Sequence, residues 1–497
     1  MCRQRQGIGL HSGLATGTPL AIYHLTVHII SRARGQSAVA AAAYRAGDLL
    51  RDERYGVTHN YVGKRGIVHS EIVVPEESPT WVRNREALWN RVEAGEFRKD
   101  SQLARVVEVG LPIELAADER LALVRDFIAA EFVAQGMVAD FCIRGQVHNP
   151  HAHILLTLRG VTAEGFGPKQ RNWNGKAVLH RWRAAWAECA NDHLARAGHA
   201  VRIDHRTLEA QQIELMPGRR IGVARDRRSD ASLPQHMVER LAEQQRIARE
   251  NGETMLNDPT VALRALTHQR PIFTEAELNQ FLLPRTEDAN QFDAVLQAVK
   301  LCPDLMPLTP GKDGAARFTS RDMVEAERSL VRRAVSMASR RGHGVPPDQR
   351  GAVNDDVWRQ AFDDLVGDGD IKTLVLADHH KTSLLAAAHR TWAANGLTVE
   401  GTAPSRRAAE LLESTTGIKS RSLADYESQW ESGGELGRES VLVLDGAQGL
   451  GLKQLERLLA AADRGRAKAV LVAQAHKLEG MKVDSPFATV RRAINVE

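Results

Sequence analysis

The stretch HNPHAHILL (residues 148–156) is typical of an apolar strand that carries histidines. Side chains on a strand alternate between its two faces, so His151 and His153 point to the same side. Two imidazoles in that arrangement can bind one divalent metal if a third ligand lies nearby. Histidine pairs at this spacing also occur in ordinary cores, on surfaces and in structural zinc sites. A structural zinc site is the less attractive alternative here, because no cysteines cluster around the pair.

A tyrosine in an alanine-rich segment is the second informative feature. Residues 36–45 read QSAVAAAAYR, in which Ser37 is suited to the N-cap and the alanines favour a helix that carries Tyr44. A phenol has a pKa near ~10, so a metal or a cationic side chain must activate it for attack on phosphorus. Alternatively, Tyr44 only packs its ring against a sheet. A tyrosine nucleophile beside a histidine-bound metal indicates cutting and rejoining of a DNA strand.

Composition excludes several classes of protein. The 497 residues include 66 Lys+Arg and 62 Asp+Glu, a net charge of +4, so any surface that faces DNA must be local. The four cysteines are far apart and form no CxxC pair, which argues against a zinc finger or a disulfide framework and fits a reducing cytoplasm. No run of 18 apolar residues and no secretory signal is found. We therefore expect a cytoplasmic protein without membrane insertion.

The length of 497 residues predicts about three domains, at ~150 residues for each. Strands mixed with helices in the first part favour an α+β fold with an antiparallel sheet, whereas regular alternation in the last part favours parallel strands. The predicted segments are a disordered tail or an extension before a true start at Leu20 (1–20), the α+β domain (21–215), a charged helical linker (216–255), an all-helical domain (256–345) and a partial α/β lobe (346–497).

Several motifs together resemble one known family. They are AIYHL (21–25), SR (31–32), GQSAVAAAAYR (35–45), RKDSQLAR (98–105), NPHAH (149–153) and IDHRTLEAQ (203–211). With them the chain resembles the MobA/MobL family of conjugative relaxases, and most of all the TraA-type relaxase-helicases of Ti and rhizobial plasmids. Each motif alone is unspecific, whereas the combination is highly specific. The similarity extends from about Ala21 to the C-terminus.

This resemblance implies an HUH-type nuclease fold for the first domain and a bacterial, plasmid-encoded protein. Tyr44 matches the family's nucleophile, which forms a 5′-phosphotyrosyl link at the nic site of the transfer origin. The released 3′-OH can later reverse the attack. His151 and His153 match the last two ligands of a divalent metal, Mg, Mn or another transition metal. Expected partners are single-stranded origin DNA, accessory relaxosome proteins, and a coupling protein with its type IV secretion system.

Two departures from the family concern the metal site. The family's first metal histidine falls at Arg144, and His148 is a candidate substitute. A family glutamate falls at Val106, so only Glu108 remains to support catalysis. Fewer ligands weaken metal binding, which leaves open a decayed relaxase that binds origin DNA without cutting it. A further alternative is an unrelated phosphohydrolase that uses water and does not need Tyr44.

Basic residues near these motifs are candidates for phosphate contacts, which position a strand and make its binding salt-dependent. Each of them could equally be an ordinary surface residue. Trp173 is a candidate for stacking on a base, although a core position is the alternative. The candidates are Arg32, Arg34, Arg45, Lys64 and Arg65 near the nucleophile, and Lys169 and Arg171 in the loop at residues 165–174.

The last segment resembles a RecA-like helicase lobe with a degenerate nucleotide site. Lys381 and Thr382 match the end of a P-loop, but Val375 and His380 stand at its glycine positions. Asp445 matches the Walker B aspartate, yet Gly446 replaces the glutamate that usually follows. The segment also accounts for only about one such lobe, whereas a helicase motor needs two. We expect no ATP use and no unwinding, with nucleotide binding without hydrolysis as the alternative.

Overall fold

A computed structural model describes most of the chain. Neither the predicted extension at residues 1–20 nor His148 lies in the described part. Within that part, no helix combines the length and the apolar character needed to cross a membrane. The described ranges are 23–145, 149–218, 235–311, 314–350, 356–376, 378–475 and 485–495.

The N-terminal domain is built on a five-stranded antiparallel sheet, so the predicted α+β fold is confirmed. Its elements are β1 (Leu25–Ser31), α1 (Ala38–Ala46), β2 (Leu49–Asp52), β3 (Val57–Asn60), β4 (Ile67–Val73), α2 (Arg85–Ala94), β5 (Gln102–Gly110), α3 (Ala117–Glu131), β6 (Ala139–Arg144), β7 (His151–Leu156), β8 (Arg159–Thr162), β9 (Gly165–Lys169) and α4 (Lys176–Arg196). The strand order β1-β5-β7-β6-β4 makes the histidine strand β7 the central strand.

One face of this sheet packs on α3 and α4. Val107 and Ile154 point to that face and belong to a core that includes Phe127 of α3. Trp182 and Trp186, one turn apart on α4, are 1% and 0% exposed in the same core. This side of the domain is therefore a dry hydrophobic layer that fixes the register of the central strands.

The opposite face of the sheet lies under α1 and α2. Val106 and Leu155 point to it and pack with Ala42 of α1 and Leu88 of α2. Because side chains alternate along a strand, Glu108 follows Val106 onto this face. The alternation thus brings every second residue of β5, β6 and β7 beneath the helix that carries Tyr44.

Polar contacts fix helix α1 at its first turn. The Ser37 hydroxyl accepts a hydrogen bond from the Ala40 amide at 3.2 Å, which confirms the predicted N-cap, and donates to buried Asp52 at 2.5 Å. The carboxylate of Glu93 on α2 accepts from the Ala38 amide at 2.7 Å and pairs with the Arg32 guanidinium at 2.6 Å. Glu93 therefore joins α2, the first turn of α1 and the segment after β1.

We expect Glu93→Ala to destabilise the N-terminal domain by about 3 kcal/mol, because it leaves the buried Arg32 charge unpaired. The side chains of Glu93 and Arg32 are only 1% and 8% exposed, so water cannot replace the lost partner. Differential scanning calorimetry would measure this as a lower unfolding temperature of the domain. Glu77→Ala at an exposed position is the control, and equal effects of the two changes would contradict this role of Glu93.

The middle of the chain is not all-helical, so that prediction is wrong. Its elements are α5 (Gln235–Asn257), α6 (Pro259–Gln269), β10 (Phe273–Thr274), α7 (Glu275–Leu282), α8 (Ala289–Leu301), β11 (Leu305–Leu308), β12 (Arg317–Ser320) and α9 (Arg321–Ala338). The three strands form a small antiparallel sheet in the order β10-β12-β11. They are two to four residues long, too short for a periodic pattern to stand out from the flanking helices.

Two predicted boundaries also differ from the structure. Helix α5, which lies mostly in the predicted charged linker, packs one face into the fold, because Ile247 and Met255 on it are buried. Helix α9 was assigned to the middle domain, but Leu330 and Met337 on it belong to the core of the C-terminal lobe. Both differences arise because an amphipathic helix shows which of its faces is buried but not which domain covers it.

The C-terminal lobe is a parallel α/β layer, as predicted. Its elements are α10 (Asp356–Val366), β13 (Ile371–Leu376), α11 (Asp378–Ala394), β14 (Thr398–Ala403), α12 (Arg406–Thr416), β15 (Ser420–Ser422), α13 (Leu423–Glu431), β16 (Ser440–Asp445), α14 (Leu452–Arg464), β17 (Lys468–Gln474) and α15 (Pro486–Ile494). The strands pair in parallel in the order β13-β17-β16-β14-β15. This order places Lys381 at the start of α11 near Asp445 at the end of β16.

Candidate metal centre and nucleophile

The register of three strands brings the metal-site candidates together. His153 of β7 lies opposite Glu108 of β5 on one side and Cys142 of β6 on the other. His151 lies opposite Arg144, the last residue of β6. One ligand atom from each of Glu108, His151 and His153 lies within 4.8 Å of the other two. The two predicted histidines therefore lie together, and a carboxylate completes a group of three side chains that could hold a metal ion.

His151 is held in a defined orientation. Its Nδ1 atom lies 2.8 Å from the backbone carbonyl oxygen of Asn149, and the side chain is largely buried. A carbonyl oxygen can only accept, so in the neutral ring Nδ1 carries the proton and Nε2 presents its lone pair. The ring of His153 packs edge-on against that of His151, with 4.9 Å between centroids. The Asn149 carbonyl thus prepares Nε2 of His151 to bind a metal.

Burial and the surrounding cations keep His153 neutral. Burial is the largest cause that lowers its pKa to about 3, followed by His151 and by the charges of Arg45, Arg144 and Lys64. A neutral imidazole is the form that ligates a metal. Nδ1 of His153 lies 3.7 Å from one carboxylate oxygen of Glu108.

A third histidine borders the site. Nε2 of His24 lies 3.8 Å from the other carboxylate oxygen of Glu108. The prediction of site residues missed His24, although it belongs to the AIYHL motif. It lies just before β1, and β1 pairs with β5 across about 80 residues of intervening chain. The only signal in the sequence was the presence of a histidine in this motif, because the pairing of β1 with β5 leaves no local pattern that would place His24 beside Glu108.

Tyr44 lies under a group of cations. The Lys64 ammonium lies 2.8 Å from the centroid of its ring and donates to the Tyr44 carbonyl at 2.5 Å. The Arg144 guanidinium carbon lies 5.6 Å from the same centroid. Tyr61 packs edge-on against Tyr44 at 5.3 Å. Since Arg144 also lies opposite His151, it links the tyrosine to the metal-ligand group.

The predicted DNA-binding residues fall into different environments. Arg32 is bound internally to Glu93 and to backbone carbonyls, so its role in the fold leaves it no freedom to contact phosphate. Lys169 pairs with Glu96 at 3.0 Å and donates to the Gln102 carbonyl, which also ties it to the domain.

The other basic candidates remain accessible or lie beside Tyr44. Arg34 and Arg171 are exposed. Arg45 is partly buried next to Tyr44, and burial lowers its pKa from the ordinary arginine value. Trp173 packs against the core that contains Trp182, so its predicted core alternative fits better than stacking on a base.

An internal ion pair joins two residues of the predicted nucleotide site. Lys381 Nζ lies 2.8 and 3.1 Å from the two oxygens of Asp445, and both side chains are largely buried. His380, at a glycine position of the P-loop pattern, stacks on Trp358 with 4.2 Å between ring centroids. The lysine that would bind phosphates is thus neutralised, and an aromatic ring occupies a position that glycine usually leaves open.

Comparison with known protein families gives two matches. Residues 36–230 match the MobA/MobL family, and residues 359–496 match an AAA domain. The first match contains Tyr44 and the whole ligand group, and the second contains both Lys381 and Asp445. The two matches coincide with the N-terminal domain and the C-terminal lobe of the structure.

Individual relatives extend this result. The conjugal transfer protein TraA of Rhizobium radiobacter is 32% identical over 95% of this chain, and the chain spans about half, 47%, of that relative. The mobilization protein MobL of Acidithiobacillus ferridurans is 35% identical over 48% of this chain and 72% of its own length. A solved structure on the molecular basis of vancomycin resistance transfer in Staphylococcus aureus is 34% identical, covering 38% of this chain and 100% of that one with a TM-score of 0.36.

Proposed function

Because the chain belongs to the MobA/MobL family of conjugative relaxases, we propose that its N-terminal domain nicks and rejoins one DNA strand at a plasmid transfer origin. The observation that supports this most strongly is the convergence of Tyr44, Lys64 and Arg144 on the sheet face that carries Glu108, His151 and His153. A nucleophile, positive charge for a phosphate and three metal ligands are the parts that this reaction needs.

The reaction is a transesterification and consumes no water or cofactor. The Tyr44 oxygen attacks the scissile phosphorus, a P–O bond to tyrosine forms, and the P–O3′ bond breaks. The phenol loses its proton and the leaving 3′-oxygen gains one, so that a 3′-OH and a 5′-phosphotyrosyl link result. One phosphodiester replaces another, and the 3′-OH can therefore reverse the step.

The positive charges around Tyr44 serve this step. Lys64 over the ring stabilises the developing phenolate, and preorganised cations of this kind are worth more in a partly buried site than in water. The electrostatic environment also keeps His153 neutral, so its lone pair stays available.

Glu108, His151 and His153 fit a divalent metal. Two imidazole nitrogens and one carboxylate oxygen form a donor set that suits Mn and other transition metals better than Mg. When bound, such an ion supplies Lewis-acid polarisation of a non-bridging phosphate oxygen. The contacts of these side chains support this assignment, since the Asn149 carbonyl orients His151 and His24 lies beside Glu108.

A covalent adduct on a denaturing gel tests the proposed function. The protein is incubated with Mn or Mg and with single-stranded oligonucleotides that tile the transfer origin of its plasmid. We expect a protein–DNA adduct with one oligonucleotide. DNA binding without an adduct, in every metal and with every tile, would instead support a non-catalytic origin-binding protein. That second function is favoured by one observation, the presence of Arg144 where the family has a metal histidine.

For the C-terminal lobe we propose a docking or scaffold role without ATP hydrolysis. The ion pair between Lys381 and Asp445 supports this, as does Gly446 at the position of the usual catalytic glutamate. In the family, covalently bound DNA passes to a coupling protein and a type IV secretion channel. We extend that partnership to this chain.

We expect phosphate release from ATP to stay at the background rate, with or without single-stranded DNA. A phosphate-release assay measures this, with heat-denatured protein as the blank. Lys381→Ala should leave the rate unchanged, because the wild-type lysine neutralises Asp445 and does not act on nucleotide. Hydrolysis that DNA stimulates and that Lys381→Ala abolishes would contradict the expected inactivity.

A further inference from the structure

Arg144 stands at the position of the family's third metal histidine and lies beside both His151 and Tyr44. It ends β6 opposite His151, and its guanidinium carbon is 5.6 Å from the centre of the Tyr44 ring. An arginine cannot ligate a metal, because its guanidinium has five donors, no acceptor and stays protonated. What the side chain can do at this position is bind an anion.

The charges on this face leave Arg144 available for that role. Asp140, two residues before Cys142 on the same face of β6, accepts from Arg85 through both oxygens and from Trp89 at 2.8 Å. Its carboxylate is thus occupied by partners on α2. The Nε atom of Arg144 is buried and has no hydrogen-bond partner among the described residues. Burying a donor without a partner is costly, which points to a ligand that completes it.

We propose that Arg144 binds the scissile phosphate directly and so supplies positive charge at the position where the family has a third metal histidine. The inference rests on the proposed nicking function. Glu108, His151 and His153 hold the metal on one side, and Arg144 forms paired hydrogen bonds to non-bridging oxygens on the other. A planar guanidinium is well matched to a phosphate in this way. The site is then a mixed centre of metal and guanidinium, not a decayed three-histidine site.

Binding of neutralised DNA tests this contact without relying on cleavage. In a Tyr44→Phe background, each phosphate of the bound oligonucleotide is replaced in turn by an uncharged methylphosphonate. We expect one position at which the replacement weakens binding by about tenfold, the loss of one charge-assisted contact. In the Tyr44→Phe, Arg144→Gln protein the same replacement should weaken binding by less than about twofold, because the partner of that phosphate is already gone.

A matched control and a metal measurement complete the test. Arg125→Gln on α3, which faces the opposite side of the sheet, should keep the tenfold effect in the same background. If Arg144→Gln also keeps it, Arg144 does not bind that phosphate. Calorimetric titration with Mn should show no weaker binding in Arg144→Gln. A loss of Mn affinity as large as that caused by His151→Ala would overturn the inference. If the wild type forms no adduct, the proposed nicking is refuted but the phosphate contact of Arg144 is not, because the DNA and Mn measurements report equilibrium binding.

Discussion

Tyr44→Phe should abolish the covalent protein–DNA adduct and lower the nicking rate by at least about 10⁴-fold, because the variant lacks the attacking oxygen. Phenylalanine keeps the ring that Lys64 covers and that Tyr61 contacts, so we expect the fold around α1 to be retained. The rate is measured with an end-labelled oligonucleotide that carries the nic site, and DNA binding is measured separately. Binding should change by less than about threefold.

The matched control for this change is Tyr55→Phe. Tyr55 is 50% exposed in the turn between β2 and β3 and has no place in the site. The control should nick at the wild-type rate. Nicking that persists in Tyr44→Phe, with a free 5′-phosphate as the product, would show that water is the nucleophile and that the protein is a phosphohydrolase.

Loss of a metal ligand should have the second-largest effect. We expect His151→Ala and His153→Ala each to weaken Mn binding by about 10²-fold. Losing a residue that only supports a metal ligand already costs about 10- to 100-fold in affinity, so the loss of a ligand should reach the upper end of that range. Nicking at limiting Mn should fall in proportion, and a chelator should remove it from the wild type. Calorimetric titration gives the affinity for Mn. Added Mn should restore the full nicking rate in the chelator-treated wild type and only part of that rate in the variants.

His180→Ala is the control for this pair, because His180 is exposed on α4, away from the ligand group. Its Mn affinity and nicking rate should equal those of the wild type. If His151→Ala binds Mn as tightly as the wild type, the ligand group of Glu108, His151 and His153 does not form the metal site.

Local patterns were sufficient to predict the parts of the site that lie on one strand or one helix. The alternation in residues 151–156 placed both histidines on one face, and Ser37 with the alanine run predicted the helix that carries Tyr44. In each case the information lies within about ten residues of sequence, where period and capping decide the structure.

Contacts between distant segments could not be predicted in this way. The pairing of β5 with β7 sets His153 opposite Glu108, and the pairing of β6 with β7 sets Arg144 opposite His151. Glu108 was proposed only through the family resemblance, and His24 was missed altogether. Strand order in an antiparallel sheet depends on tertiary packing, and no single strand encodes it.

The prediction for the middle domain was wrong for a different physical reason. Its strands β10, β11 and β12 are so short that their hydrophobic pattern merges with that of the helices on either side. The sequence of α9 likewise indicated an amphipathic helix, but it did not indicate that the C-terminal lobe covers the apolar face of that helix. Propensity therefore identified the helices in this region, whereas the partners of their apolar faces required the structure.

The most direct measurement is the identification of the residue that carries the DNA. The adduct formed in Mn is digested with a protease and a nuclease, and tandem mass spectrometry locates the nucleotide on the peptide. We expect a single phosphotyrosyl link at Tyr44, joined to the 5′-phosphate of the strand downstream of the cut. A link at Tyr55, Tyr61 or any other residue, or cleaved DNA without any link to protein, would contradict it.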